Sequence, residues 1–167
     1  MLSKTLEKAL NEQINNEYYS AFLYLSMASH FENINMLGMA NWMRMQYEEE
    51  IMHAIKIFDM IIGMEGQVVL KQVDSPPANF DSVLSVFEQT LDHERNVTKM
   101  INDIYSIARK ESNYAVQSAL QWFIDEQVEE EKSVLEIVNQ LKIIGDETTP
   151  LLMLDSKLGS RTDSPEI

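Results

Sequence analysis

The sequence predicts an all-α protein: a four-helix bundle with one long crossover between its second and third helices and a short fifth helix at its C-terminal end. Three observations carry that expectation. Among 167 residues there are only 5 Gly and 4 Pro, grouped at a few places, so long stretches contain no helix breaker. Four of those stretches, each about 28 to 31 residues, repeat apolar residues with the 3.6-residue period of a single helix face. Between the second and third lies the one long non-periodic segment, about 66–79, which contains Ser75-Pro76-Pro77.

The first helix is expected over about 5–33, where Leu6, Leu10, Ile14, Ala21, Tyr24, Leu25, Ala28 and Phe31 share a stripe with Glu17. Asn35-Met36-Leu37-Gly38 is a short link into a second helix over about 37–64, so these two are antiparallel neighbours. Around Glu50 and His53 the second stripe carries Met36, Met39, Met43, Tyr47, Ala54, Ile57, Phe58, Ile61 and Met64. Asn41, Arg44, Glu48, Lys56 and Asp59 lie opposite, and Gly63 and Gly66 mark the end. The crossover holds Gln67-Val68-Val69-Leu70, a candidate short extended piece, and a Pro pair that bars helix. Its length exceeds a turn, so it travels the length of the bundle. The third helix is expected over about 81–110 with Asp81 or Ser82 as N-cap. Phe80, Val83, Leu84, Phe87, Leu91, Val97, Thr98, Ile101, Tyr105 and Ala108 form its stripe around Glu94. After Ser112-Asn113 the fourth helix, about 114–144, aligns Val116, Ala119, Leu120, Phe123, Val134, Ile137, Val138 and Leu141 around Glu130, joined by Glu126 and Gln127. Gly145 stops it, and an apolar stretch over about 150–158 with Pro150 in its first turn reads as the fifth helix. Residues 1–159 thus make one domain, and 160–167 read as a loose tail.

Composition narrows the chemistry. With no Cys, disulfides and thiolate metal sites are excluded, so any metal sits on oxygen and nitrogen. A net charge of −14 argues against nucleic acid as a ligand and suits attraction of cations. The start of the chain lacks the apolar run of a signal peptide, and no stretch of about 18 apolar residues is available to span a membrane. A cytoplasmic protein is expected.

Glu17, Glu50, Glu94 and Glu130 each interrupt an otherwise apolar stripe near the middle of a long helix. Mid-helix positions meet at one level of a bundle whichever way each helix runs. Four inward carboxylates repel strongly unless cations sit among them; the alternative is a buried cluster that shares protons or holds water. Glu50 and His53 stand three residues apart and therefore on one helix face. Carboxylates with an imidazole suit iron or manganese. Di-iron bundles commonly use Glu-x-x-His on two helices, whereas here the matching pair on the fourth helix is Gln127 and Glu130. One metal position then has His53 and the other only oxygen ligands, which makes the second weaker and more labile.

Taken together, Glu17, Tyr24, Glu50-Ile51-Met52-His53, Glu94 and the run from Trp122 to Glu131 resemble the prokaryotic non-haem ferritins over nearly the whole chain, fifth helix included. The resemblance implies a ferritin-like bundle in a homo-oligomeric hollow shell of 24 subunits. It implies a ferroxidase that oxidises Fe(II) with O2 or H2O2 and stores iron as a ferric mineral. By the same resemblance Glu17, Glu50 and His53 hold one iron, and Glu50, Glu94 and Glu130 hold the second. Glu49, Glu126, Glu129 and Glu130 match a third iron site, Gln127 a glutamine beside the centre, and Tyr24 a neighbouring tyrosine that reads equally as a core phenol. Trp122 reads as packing, with electron donation as its alternative. On the helical wheel Glu49 and Glu129 fall at the margin of their stripes, where solvent-facing acids also live. Haem is not expected: Ile51 stands where bacterioferritins place their haem-ligating Met, and the second Glu-x-x-His is missing. Rubrerythrins need cysteines, and the small DNA-protecting shells lack the fifth helix. A plain helical adaptor would need no inward carboxylates. His30 and His93 read as polar-face residues, and Tyr19, Phe22, Met45, Met52 and Ile55 as outward apolar positions available for assembly.

Overall fold

The computed structural model describes residues 2–145 and 147–162. Five helices appear in order: α1 Lys4–Asn33, α2 Leu37–Gly63, α3 Val83–Lys110, α4 Tyr114–Ile144 and α5 Thr148–Gly159. Their ends are set by local chemistry. The Ser3 hydroxyl accepts from the Leu6 amide at 3.1 Å to start α1. Asn35, at φ 58°, turns the chain between α1 and α2; asparagine tolerates this left-handed conformation better than most residues. Of the two expected caps for α3, Ser82 is used. Its side chain and that of Ser85 bond each other's backbone amides at 3.0 and 2.9 Å, so the helix begins at Val83 rather than 81. Asn113 Oδ1 caps α4 by accepting from the Val116 amide at 3.1 Å. α5 begins two residues before Pro150, which lies in its first turn.

α1 and α2 pack as one helical hairpin and α3 and α4 as another. The crossover joins them along α1. The Asn11 side chain bonds the Gln67 carbonyl and the Val69 amide at 2.9 and 2.6 Å, and the Ser26 hydroxyl donates to the Pro77 carbonyl at 2.6 Å. Those two anchors are fifteen residues apart on α1, about 22 Å at the rise of an α-helix. The expected extended piece therefore exists without a strand partner among the described residues; an asparagine amide satisfies its main chain instead. Because the crossover carries the chain back to the end where α2 began, α2 and α3 run in the same direction.

The core is divided in two. One apolar cluster gathers Tyr24, Phe31, Met43, Phe87 and Val138 toward the α1–α2 turn and α5. The other gathers Leu10, Ile14, Ile57, Ile101 and Phe123 toward the far end. The buried polar residues Gln13, Glu17, Gln46, Glu50, His53, Thr90, Glu94, Gln127 and Glu130 fall between them. One stripe residue departs from expectation: Leu25 is 41% exposed, whereas Met27 is fully buried. These two stand about 80° either side of Glu17 on the wheel, and α1 turns its Met27 side toward α3, where the Thr90 hydroxyl lies 3.4 Å from the Met27 sulfur. Of the outward apolar positions, Phe22 and Ile55 are exposed, while Tyr19, Met45 and Met52 are half-buried. Part of the segment expected as a tail is ordered against the bundle. Ser160 caps α5, Arg161 is half-buried against α2, and 163–167 lie outside the described residues.

α5 lies on α2 at backbone contact: a Cβ at Gly38 would stand 1.7 Å from the Asp155 carbonyl oxygen. Gly38→Ala therefore displaces α5 and destabilises the subunit by about 1–3 kcal/mol or more. Urea denaturation of wild type and variant measures it, and equal midpoints would show that α5 adapts without cost.

Candidate metal centre

Glu17, Glu50, Glu94 and Glu130 project from the middle of α1, α2, α3 and α4 into the layer between the two apolar clusters, and none is more than 5% exposed. Glu17, Glu50 and His53 come closest together, with one ligand atom of each within 4.8 Å of the others. His53 Nδ1 lies 3.5 Å from Glu50 Oε2. Glu17 Oε2, Glu50 Oε2 and His53 Nε2 are buried and have no hydrogen-bond partner among the described residues. Leaving a buried polar group unpaired costs about 1–3 kcal/mol, so three in one place are poorly explained by packing. Two hard carboxylates with one imidazole fit Fe(II) or Mn(II).

The other hairpin supplies a more engaged half. Tyr24 donates its phenol proton to Glu94 Oε1, and Gln127 Nε2 reaches Glu94 Oε2 at 3.1 Å and the Glu94 carbonyl at 3.2 Å. Gln46 Nε2 donates to Glu130 Oε2 at 2.8 Å, and Gln13 Nε2 donates to Glu17 Oε1 at 2.8 Å. Gln13 and Gln46 were not among the residues the sequence singled out, yet a signal for them exists. Gln13, Gln46, Thr90 and Glu126 each precede an inward Glu by four residues, one helical turn.

Burial dominates the electrostatics. It pushes the Glu17 carboxyl well above the usual range, with the Glu50 charge adding to it. Glu50 is raised well above that range for the same first reason, then by Glu94. Glu130 is pushed up to about 8 by burial, then by Glu94 and Glu49. The Tyr24 phenol is raised by burial and by the carboxylates facing it, Glu94 first. At neutral pH the metal-free layer thus retains protons, which a divalent cation would displace.

The chain matches the ferritin-like domain over residues 7–144. It is 38% identical over 166 residues to the bacterial non-heme ferritin of Staphylococcus aureus (strain USA300), covering 99% of this chain and 100% of that one. This chain belongs to the ferritin family. The bacterial non-heme ferritin of Bacteroides fragilis (strain 638R) is 40% identical over 161 residues, 96% of this chain and all of that one. An open-pore ferritin from the hyperthermophilic archaeon Archaeoglobus fulgidus superposes with a TM-score of 0.95 at 48% identity, covering 96% of this chain and 98% of that one.

Around the ferritin-like centre the remaining site residues separate. Glu49 is buried and ion-paired with Arg161 at 2.7 Å, and its carboxyl is raised by burial against the lowering effect of that guanidinium. Glu126 is half-buried. Glu129 points outward, 69% exposed, and pairs with Lys132 at 3.7 Å. The wheel set Glu49 and Glu129 at equivalent margins; their neighbours make the difference, since Arg161 covers Glu49 and Glu129 is left open. His93 is not a polar-face residue. Half-buried between α1 and α3, its Nε2 lies 2.7 Å from the Ser20 hydroxyl and its ring meets the Tyr24 ring edge-on at 6.3 Å. Burial lowers its pKa. His30 is half-buried too, edge-on to Phe31 and Phe80. Trp122 packs edge-on against Phe123 at 4.9 Å and His53 at 5.5 Å, with Lys56 over its face.

Glu130 holds its proton more tightly in the folded chain than in the unfolded one. The stability it contributes is complete below the ordinary carboxyl value of 4.5 and is lost as pH rises through about 8. Chelator-treated protein should accordingly melt at progressively lower temperature between about pH 5 and pH 8, and Glu130→Gln should flatten that decline. Calorimetric scans across the range test this, and a midpoint that climbs with pH would contradict it.

Proposed function

We propose that this chain is an iron-storage subunit with ferroxidase activity: it oxidises Fe(II) with O2 or H2O2 at a centre for two irons within each subunit and keeps the product as a ferric mineral inside a shell of 24 copies. The observation that carries the reading is the buried layer itself. Protonated or metal-bound carboxylates alone make such a layer tolerable, and three of its ligand atoms have no protein partner among the described residues. Glu17, Glu50 and His53 would hold the first Fe(II), and Glu50, Glu94 and Glu130 the second, with Glu50 bridging. Each Fe(II) gives up one electron, and two together reduce O2 to peroxide. Glu94 begins with both oxygens engaged, so its recruitment exchanges the Tyr24 or Gln127 bond for the metal. The phenol of Tyr24 then lies free beside the reacting pair. Glu49, Glu126 and Glu129 with Glu130 form the proposed third site, through which ferric iron leaves. Of these, Glu129 must swing inward from its exposed rotamer.

Assembly is supported by the exposed Phe22 and Ile55 on one hairpin and by Leu152 and Met153, 51% and 69% exposed, on α5. Among the described residues no helix is long and apolar enough to cross a membrane, and we place the assembly in the cytoplasm.

Glu50→Ala should abolish rapid oxidation while the chain still folds, and its metal-free form should melt higher because a buried carboxyl with an unpartnered oxygen is removed. His53→Ala should weaken the first iron selectively. Stopped-flow absorbance after anaerobic loading and O2 admission reads both, and wild-type kinetics in the two variants would refute the centre. A 19.3-kDa chain in 24 copies has a native mass of about 460 kDa. A monomer in native mass spectrometry would remove the storage reading.

A further inference from the structure

The end of α5 brings one more charged side chain to the edge of the buried layer. Two contacts determine where that helix ends. Gly38 and Gly159 meet without room for a side chain, since a Cβ on Gly159 would stand 2.9 Å from the Gly38 Cα. Asp155 Oδ1 accepts from the Met39 amide at 2.8 Å, satisfying a free donor in the first turn of α2. Arg161 follows two residues after α5, and its guanidinium lies 5.4 Å from the Trp42 ring centre, within cation–π range. From there Nη2 donates to Glu49 Oε1 at 2.7 Å and Nη1 donates to Gln46 Oε1. The other end of the Gln46 amide donates to Glu130 Oε2 at 2.8 Å. The Arg161 side chain is only 20% exposed and that of Glu49 10%. Glu49 Oε2 remains buried with no partner among the described residues.

We propose that Arg161 is a tethered cation in competition with metal: its guanidinium engages the Glu49 carboxylate, and a metal ion binds there, beside Glu130, only by displacing it. The inference rests on the third-site reading above and adds its regulation. A guanidinium is always charged and presents a fixed fork of donors, so it neutralises Glu49 without the desolvation that a hydrated metal ion must undergo. It also orients Gln46, whose amide holds one Glu130 oxygen. An arriving dication would replace one positive charge with two, release the Gln46 carbonyl and push Arg161 off Trp42. Because α5 is locked to α2 by Gly38, Gly159 and Asp155, the displaced arginine stays close and returns when the metal departs. The first metal position, at Glu17, Glu50 and His53, has no contact with Arg161, whereas the second is reached from it through Gln46 and Glu130.

Zn(II), which is redox-inert, titrated into chelator-treated full-length protein by calorimetry tests the competition. Arg161→Gln should tighten the weakest binding step by about tenfold and leave the step at Glu17, Glu50 and His53 unchanged, with Arg161→Lys in between. In a Glu49→Gln background the weak step should disappear and Arg161→Gln should have no effect. A second readout uses Trp42 emission in a Trp122→Phe background, where it is the single indole. The signal should change on the third equivalent and should fail to do so when Arg161 is Gln. A third step that depends on Glu49 yet is unchanged or weakened by Arg161→Gln would overturn the role of Arg161 and leave the third site standing. Two steps only, in wild type and every variant, would overturn the third site and this inference with it.

Discussion

Four glutamates buried at one level of a helical bundle are the constraint to which the rest of this molecule answers. An isolated carboxylate in an apolar interior is costly, and several facing one another are more so. The fold accommodates them by dividing its core. Apolar clusters above and below supply the burial that holds the helices together, and the layer between is given amide and phenol donors: Gln13 for Glu17, Gln46 for Glu130, Tyr24 and Gln127 for Glu94. The compensation is incomplete where Glu17, Glu50 and His53 meet, a group of ligand atoms placed so that it could hold a cation.

The two hairpins contribute unequally. The α1–α2 hairpin alone brings Glu17, Glu50 and His53 together, with atoms left unpartnered. The α3–α4 hairpin brings Glu94 and Glu130, both already hydrogen-bonded, and Gln127 stands where a second Glu-x-x-His would begin. One half is thus open toward a cation and the other must exchange protein bonds to accept one. Under the function proposed above, this asymmetry suits iron that moves on rather than iron that stays.

Most of this was legible in the sequence because a lone Glu in an apolar stripe is conspicuous, and the helical period locates it without any knowledge of its neighbours. What escaped depends on neighbours. Periodicity defines a stripe but not how far the helix is rolled against its partner, so Leu25 and Met27 could not be told apart. His93 looked polar-facing because α1, which covers it, lies 73 residues away at Ser20. Glu49 and Glu129 occupy matching wheel positions and differ in that the Arg161 side chain lies against Glu49. Arg161 sits beyond the last periodic segment, and its partner Glu49 is 112 residues distant; no local pattern encodes such a contact. Gln13 and Gln46, each one turn before an inward glutamate, were readable as residues of the layer, although Gln13 donates to that neighbour, Glu17, and Gln46 donates across the bundle to Glu130.

The crossover has a consequence for the order of folding. Each helical hairpin is built from contacts local in sequence, and local contacts form early. The crossover is pinned to α1 by Asn11 and Ser26, within the first hairpin. Docking is therefore the step that closes the longest loop, and it is also the step that brings Glu94 and Glu130 up to Glu17 and Glu50. Topological delay and like-charge repulsion fall on the same event. The step that closes the longest loop is thus also the step at which these carboxylates need protons or cations.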